Sequence, residues 1–265
     1  MGNAALMASP VNSAGSDEAG AGRVETIAVS VWRSAGDGEG DYADYSVPFR
    51  DSQTVLDVVT YIQRHIDASL TYRFACRVGV CGSCAMTVNG IPRWTCRTHV
   101  KKVMRGGALR IGPLRNMPVI KDLACDMTVF FEKWQAARGR FEGALTRRNE
   151  IARIEPSSPQ RQAADAGIEC INCAVCYSAC DVVAWNEAYL GPAALNRAWT
   201  LQNDVRDEAF GRRLAAISQG SGCHNCHSHQ SCTEYCPADL NPTRSIAGLK
   251  AMSVKAALSG RTSRP

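Results

Sequence analysis

Four cysteines within eleven residues constrain this chain more than any other feature. Cys170, Cys173, Cys176 and Cys180 are spaced C-x2-C-x2-C-x3-C. A tight loop can aim three closely spaced thiolates at three corners of one cubane, and the cysteine after the longer gap then points away, usually from a helix start. In such runs the fourth cysteine ligates a different iron–sulfur cluster. The run is therefore incomplete alone and requires a second cysteine group. Cys226, Cys232 and Cys236, spaced C-x5-C-x3-C and followed by Pro237, supply one. Its x5 gap is two x2 gaps with the middle cysteine replaced, here by His229. This assigns Cys170, Cys173, Cys176 and Cys236 to a 4Fe–4S cluster. Cys180, Cys226 and Cys232 then hold a neighbour on three thiolates, most simply 3Fe–4S, and Cys223 is spare. Structural zinc is the competing chemistry for paired cysteines, but four in eleven residues crowd one tetrahedral ion.

A third group lies upstream. Cys76, Cys81 and Cys84 are spaced C-x4-C-x2-C, and Cys96 follows after eleven residues. This is the plant-type 2Fe–2S spacing. Gly79 and Gly82 allow backbone angles that bulkier residues resist and let amide N–H groups approach sulfur. Ser83 adds a hydroxyl donor.

Thirteen cysteines in clustered spacing point to metal and a reducing compartment rather than to disulfides. The 265 residues allow two domains. No run approaches the roughly eighteen apolar residues of a membrane span, and the N-terminus is expected to carry no secretory signal. The net charge of +5 is modest, and no basic-aromatic pattern asks for nucleic acid.

Residues 1–22 read as a flexible tail, 23–126 as a plant-type 2Fe–2S domain and 127–265 as a helical domain with 4Fe–4S and 3Fe–4S clusters. In the first domain, residues 25–32 alternate as a strand with Ile27, Val29 and Val31 on one face. Gly36, Asp37, Gly38 and Gly40 make a turn, and Asp44–Phe49 returns. Thr54, with Asp57 as a capping box, opens a helix with the stripe Val55, Leu56, Val59, Ile62 and Ile66. Ala85–Val88 and Trp94–Arg97 read as strands about an Asn89-Gly90 turn, and Ala108–Ile111 closes the sheet. This is a β-grasp arrangement. Cys125 fits no cluster spacing and is expected as a packed residue at a helix start. Asp126 is expected to cap a helix Met127–Arg138 that buries Val129, Phe130 and Trp134. Residues 139–160 form a connector. The rest is helical, over Pro192–Gln202, Val205–Ile217 and Pro242–Ala257, the last capped by Asn241. The fold class is α+β.

CRVGVCGSCAM, the segment PLRNMPVIKDL at 113–123, the run at 170–180 and CHSHQSCTEYCPADLNPTR at 226–244 occur in this order. In them the chain resembles the iron–sulfur subunit of succinate dehydrogenase and fumarate reductase (respiratory complex II), over about residues 23–258. The resemblance implies a chain seated between a flavoprotein subunit and one or more membrane-anchor subunits. Electrons from succinate would enter at covalent FAD on the flavoprotein, pass through 2Fe–2S, 4Fe–4S and 3Fe–4S clusters in turn, and reduce a quinone. Fumarate reductases run in reverse. It further implies a peripheral place on the cytoplasmic face of the bacterial inner (plasma) membrane. His227 matches the family's histidine beside the last cluster, and Trp185 its quinone-facing tryptophan; on packing grounds alone Trp185 reads as core. Two departures stand out. Asp181 replaces the proline after Cys180, and His229 occupies a usually apolar position. An anionic Asp181 lowers the potential of the last cluster and a protonated His229 raises it, which suggests a pocket retuned for a quinone such as menaquinone. His229 or Cys223 as ligand to a fourth iron is the alternative for that cluster. The alternative for the whole chain is the electron-transfer subunit of a soluble fumarate reductase. That enzyme is expected to carry further cysteine-rich motifs after the second group, and residues 237–265 hold none.

Overall fold

The computed structural model describes residues 25–36 and 39–260. Strand β1 (Thr26–Ser34) buries Ile27, Val29 and Val31, as their alternation predicts. Strand β2 (Gly40–Pro48) returns antiparallel, Thr26 opposite Pro48 and Ser34 opposite Gly40. It begins four residues before the predicted Asp44, because its outer face is polar and hides the alternation. Pro48 is tolerated at the last pair of an edge strand. Asp37 and Gly38 of the predicted turn, and the tail 1–22, lie outside the described residues.

Helix α1 (Val55–His65) starts at the predicted capping box. The Thr54 hydroxyl accepts from the Asp57 amide at 3.2 Å, and the Asp57 carboxylate accepts from the Thr54 amide at 3.0 Å. Val55, Val58, Val59 and Ile62 are buried against the sheet, and Leu56 is buried with Cys84 and Cys96. Ile66 is not part of this stripe. It is the C-cap, 48% exposed, because the helix ends at His65 and the chain turns away.

Strands β3 (Ala85–Val88) and β4 (Ile91–Trp94) join through Asn89 and Gly90, both at positive φ (49° and 83°). The strand predicted over Trp94–Arg97 is corrected: β4 ends where that stretch begins. The Thr95 amide and hydroxyl both donate to the Cys84 carbonyl and the Arg97 amide to that of Trp94, so Cys96 leaves the sheet on a turn. Helix α2 (Val100–Val103) follows. Strand β5 (Ala108–Gly112) lies at the centre of the five-stranded sheet, order β2-β1-β5-β3-β4, parallel to β1 and antiparallel to β3. Strands β6 (Val119–Lys121) and β7 (Ala124–Cys125) form a separate ribbon. Buried Asp122 at its tip accepts from the amides of Ser34 (2.9 Å) and Thr71 (2.8 Å) and from Arg33 Nε (3.0 Å), which fastens the ribbon to β1. Cys125 is buried in β7 rather than at a helix start. Helix α3 (Thr128–Ala136) is shorter than predicted and has Met127 as N-cap. Asp126 still accepts from the Thr128 amide and hydroxyl at 2.9 and 2.6 Å. Phe130 is buried, while Val129 and Trp134 are half-buried.

The second half is helical: α4 (Pro159–Ile168), α5 (Val175–Ser178), α6 (Asp181–Trp185), α7 (Pro192–Asn203), α8 (Phe210–Ser218), α9 (Ser231–Glu234) and α10 (Pro242–Ser259). Helix α4 starts inside the predicted connector, with Ser158 accepting from the Arg161 amide and Pro159 at the first helical position. Helix α8 starts five residues after the predicted Val205, because Asp207 binds the Ala209 amide and holds the approach as a turn. Helix α7 packs against α3, α4, α8 and α10. The helical core includes Tyr177, Leu195, Ile217 and Ile246 and also takes in Ala85, Leu114, Met117 and Phe130 from the first half. The whole is the α+β arrangement of a β-grasp sheet followed by helices.

The connector is pinned by one buried ion pair. Arg213 and Asp207 are fully enclosed and joined at 2.7 and 3.0 Å, and Arg213 also donates to the carbonyls of Arg138 and Arg140. Arg213→Met strands the Asp207 carboxylate, and breaking such a pair costs about 3–5 kcal/mol. The expected result is a lowered midpoint in denaturant unfolding.

Candidate metal centres

The first cysteine loop is irregular, with Arg77, Gly79 and Gly82 at positive φ (59°, 77° and 71°). These turns point amides inward. Cys76 Sγ accepts from the amides of Val80 and Cys81, both at 3.3 Å, and Cys81 Sγ accepts from Cys76 at 3.4 Å. The amides of Val78, then Val80 and Cys81, hold the Cys76 thiol down to about 6. Cys84 and Cys96 close the loop from the buried side. Burial pushes the Cys96 thiol up to about 11, and neighbouring Cys84 adds to this.

Cys170, Cys173, Cys176 and Cys236 line one cavity together with Trp94. Burial drives the Cys176 thiol well above its usual range, reinforced by Cys173 and Cys170, and raises Cys173 to about 11. Cys180, the N-cap of α6, lines a second cavity with Cys226, Cys232, His227 and His229. Burial raises Cys180 and Cys232 as well, and each feels Cys226. Cys223 is fully buried in a 3-10 turn (Cys223–Asn225) and lines neither cavity. Cys125 contacts the Leu114 carbonyl at 3.5 Å and lines a cavity with Cys81 and Cys173, beside the seam between the first two groups.

All thirteen cysteines are free thiols. Among the described residues, no three His, Cys, Asp or Glu side chains gather tightly enough to share one metal ion. The second and third groups ring cavities instead and the first lies along a loop, and that donor set suits polynuclear clusters whose irons take separate thiolates. A second observation fits such occupants. Trp94, at the end of β4, has an indole Nε1 that is buried and completes no hydrogen bond within the protein. It lies close enough to the Cys173 sulfur to favour the charged form. A buried donor of this kind needs an acceptor, and sulfur in that cavity provides one.

The first two groups meet directly. A Cβ on Gly82 would lie 2.6 Å from the Cys173 Cβ, so only glycine permits this approach of the loops. The segment 113–118 clamps the third group. Asn116, at φ 67°, donates from Nδ2 to the carbonyls of Tyr177 (3.0 Å) and Cys180 (3.1 Å), and the Arg115 amide donates to Ser178 Oγ at 2.8 Å. Lys250 Nζ holds the Cys226 carbonyl at 2.6 Å. Sequence reasoning missed Trp94, Arg115, Asn116 and Lys250 as parts of the site. The only available signals were a tryptophan two residues before a cysteine and a segment noted for its resemblance alone.

Trp185 is 71% exposed, so it is no core residue. Its ring meets His229 edge-on at 5.7 Å, and His229 lies 6.1 Å from His227. Asp181 pairs with Arg115 at 3.8 Å.

Residues 28–132 match the family model of a 2Fe-2S iron-sulfur cluster binding domain, and residues 169–241 that of a 4Fe-4S dicluster domain. The chain is 32% identical over 229 residues to the fumarate reductase iron-sulfur subunit of Haemophilus influenzae, covering 83% of this chain and 89% of the relative. It is 38% identical over 201 residues to the succinate dehydrogenase iron-sulfur subunit of Paracoccus denitrificans, covering 76% of each. In structure it is similar to a chain of the Mycobacterium smegmatis Sdh1 complex in the apo form. That match has a TM-score of 0.77 and 26% identity, and covers 88% of this chain and 97% of the other.

The contrast between exposed and buried thiols is measurable in cluster-free protein. At pH 7 Cys76 is mostly thiolate and is expected to react with iodoacetamide well before Cys176, as read by peptide mass spectrometry. Lowering the pH through about 6 protonates Cys76 and slows its reaction.

Proposed function

Because the chain belongs to the family of iron–sulfur subunits of succinate dehydrogenases and fumarate reductases, we propose that it relays electrons between the FAD of a flavoprotein subunit and a membrane quinone. The direction is either succinate oxidation or fumarate reduction. When bound, 2Fe–2S, 4Fe–4S and 3Fe–4S clusters would supply the one-electron redox chemistry that the chain's own side chains lack. In this reading Cys76, Cys81, Cys84 and Cys96 hold the first. Cys170, Cys173, Cys176 and Cys236 hold the second, and Cys180, Cys226 and Cys232 the third. The dicarboxylate chemistry belongs to the flavoprotein.

One observation carries the reading: three cavities or loops ringed by free thiols, the first two in contact at Gly82 and the third beside an exposed tryptophan. Each loop stabilises thiolate charge in its own way. The first uses inward amides, the second the Trp94 indole, and the third the Ser228 amide on Cys226, while Asn116 and Lys250 hold the carbonyls of Cys180 and Cys226 and fix that loop's backbone. At the open rim, Trp185 donates its indole N–H to a quinone oxygen and His227 delivers a proton to the reduced form. Asp181 lowers the potential of the last centre toward that of a low-potential quinone, and a protonated His229 opposes it. Arg115 beside Asp181 offsets part of that carboxylate's effect.

Among the described residues, no helix is long and apolar enough to cross a membrane. This is compatible with peripheral seating on membrane-anchor subunits at the cytoplasmic face of a bacterial plasma membrane.

The native complex, purified with its partners, is expected to contain iron and acid-labile sulfide and to reduce quinone with succinate; turnover by an iron-free complex overturns the proposal. Trp185→Phe removes one hydrogen bond, worth about 1 kcal/mol. It should raise the KM for quinone about fivefold while succinate-driven reduction of a soluble acceptor continues. Trp94→Phe removes a donor to sulfur and should lower the 4Fe–4S midpoint potential in redox titration, with the 2Fe–2S midpoint unchanged.

A further inference from the structure

We infer that His229 is a metal ligand, placed to hold a fourth iron on the centre carried by Cys180, Cys226 and Cys232. This rests on the reading that those three thiolates hold a 3Fe–4S core.

The argument comes from a repeated backbone. In the loop that starts at Cys170, the second and fourth residues after the leading cysteine are left-handed: Asn172 (φ 55°) and Ala174 (φ 61°). In the loop that starts at Cys226, the same two positions are Ser228 (φ 58°) and Gln230 (φ 66°). Left-handed backbone is costly for residues other than glycine, so its recurrence at the same two positions marks one structural device used twice. The other details agree. Cys226 Sγ accepts from the amide two residues on, Ser228, at 3.4 Å, and the amide at the same place in the other loop, Asn172, acts to lower the Cys170 thiol. Ala174 and Gln230 each cap a four-residue helix, α5 and α9, with Cys176 and Cys232 at its second position. In this register His229 occupies the place of Cys173, the middle ligand of the other loop.

The chemistry fits the place. His229 lines the same cavity as Cys180, Cys226 and Cys232. Its ring contacts are with Trp185 and His227, which leave its nitrogens available to a metal. Imidazole ligates iron in some iron–sulfur centres. Cys223, the other candidate for this role, is fully buried and lines no part of that cavity. Asp181 is engaged with Arg115. The balance is simple. A reduced 3Fe–4S core of zero charge plus one ferrous ion gives a 4Fe–4S core of charge 2+. No further electron is needed, and one bond forms from a neutral imidazole nitrogen to iron. The electron that reduces the core is the one the relay delivers.

The test uses the intact complex. It is reduced anaerobically, incubated with ferrous iron enriched in iron-57, desalted and gently reoxidised. Electron paramagnetic resonance and Mössbauer spectra are then recorded. An oxidised 3Fe–4S centre gives a resonance signal, and a 4Fe–4S centre of charge 2+ is silent. The wild type is expected to lose most of the signal and gain one labelled iron at this centre, or to be silent as purified. His229→Ala should keep the signal and take up none, and His229→Cys should behave as wild type. A wild type that keeps its signal without iron uptake overturns the role of His229, as does uptake by His229→Ala equal to that of wild type. If even His229→Ala lacks the signal before iron is added, the underlying 3Fe–4S reading fails instead.

Discussion

Iron binds thiolate, and burial opposes thiolate; the architecture of this chain follows from that conflict. Enclosing a sulfur in the helical core drives its proton affinity up, as at Cys176 and Cys173. Leaving it exposed gives no shield from water. The loops meet the conflict by bending backbone into left-handed turns, so that amide dipoles face sulfur. Arg77 and Gly79 do this in the first loop, Asn172 and Ala174 in the second, Ser228 and Gln230 in the third. The surrounding elements hold those bent loops in place. The sheet presents one from its end, and short helices start at the other two.

Cysteine spacing made the groups of candidate ligands legible because each is largely local, with Cys96, Cys236 and Cys180 as the distant members placed by the spacing of their runs. The β1 alternation and the Thr54–Asp57 box were equally legible, since both depend on neighbours within four residues. Other features depend on partners far along the chain and leave no period. Asp122 binds Ser34 across 88 residues, and Asn116 reaches the Cys180 carbonyl across 64. The strand after Asn89-Gly90 ends early because Thr95 turns back to Cys84, a contact that β propensity does not encode. Helix α4 was hidden because Pro-Ser-Ser-Pro reads as a linker, although Ser158-Pro159 is also a helix start. Trp185 was ambiguous in sequence, since a tryptophan five residues after a cysteine serves a core or a surface equally well.

The repeat of one loop in another shows how a chain can diversify a metal centre. The backbone device is kept while its middle position changes from cysteine, at Cys173, to histidine, at His229. Around it, Arg115, Lys250 and Asp181 set a local field that the other two loops do not share.

Gly82 gives the contact between loops a further meaning. With no side chain there, the backbone of the sheet half rests against the Cys173 side chain of the helical half. Tunnelling decays steeply across empty space, so a van der Waals seam spans the gap far better than a void. A side chain at position 82 that parted the two loops would therefore weaken electronic coupling between the centres proposed for them, with every cysteine itself unchanged.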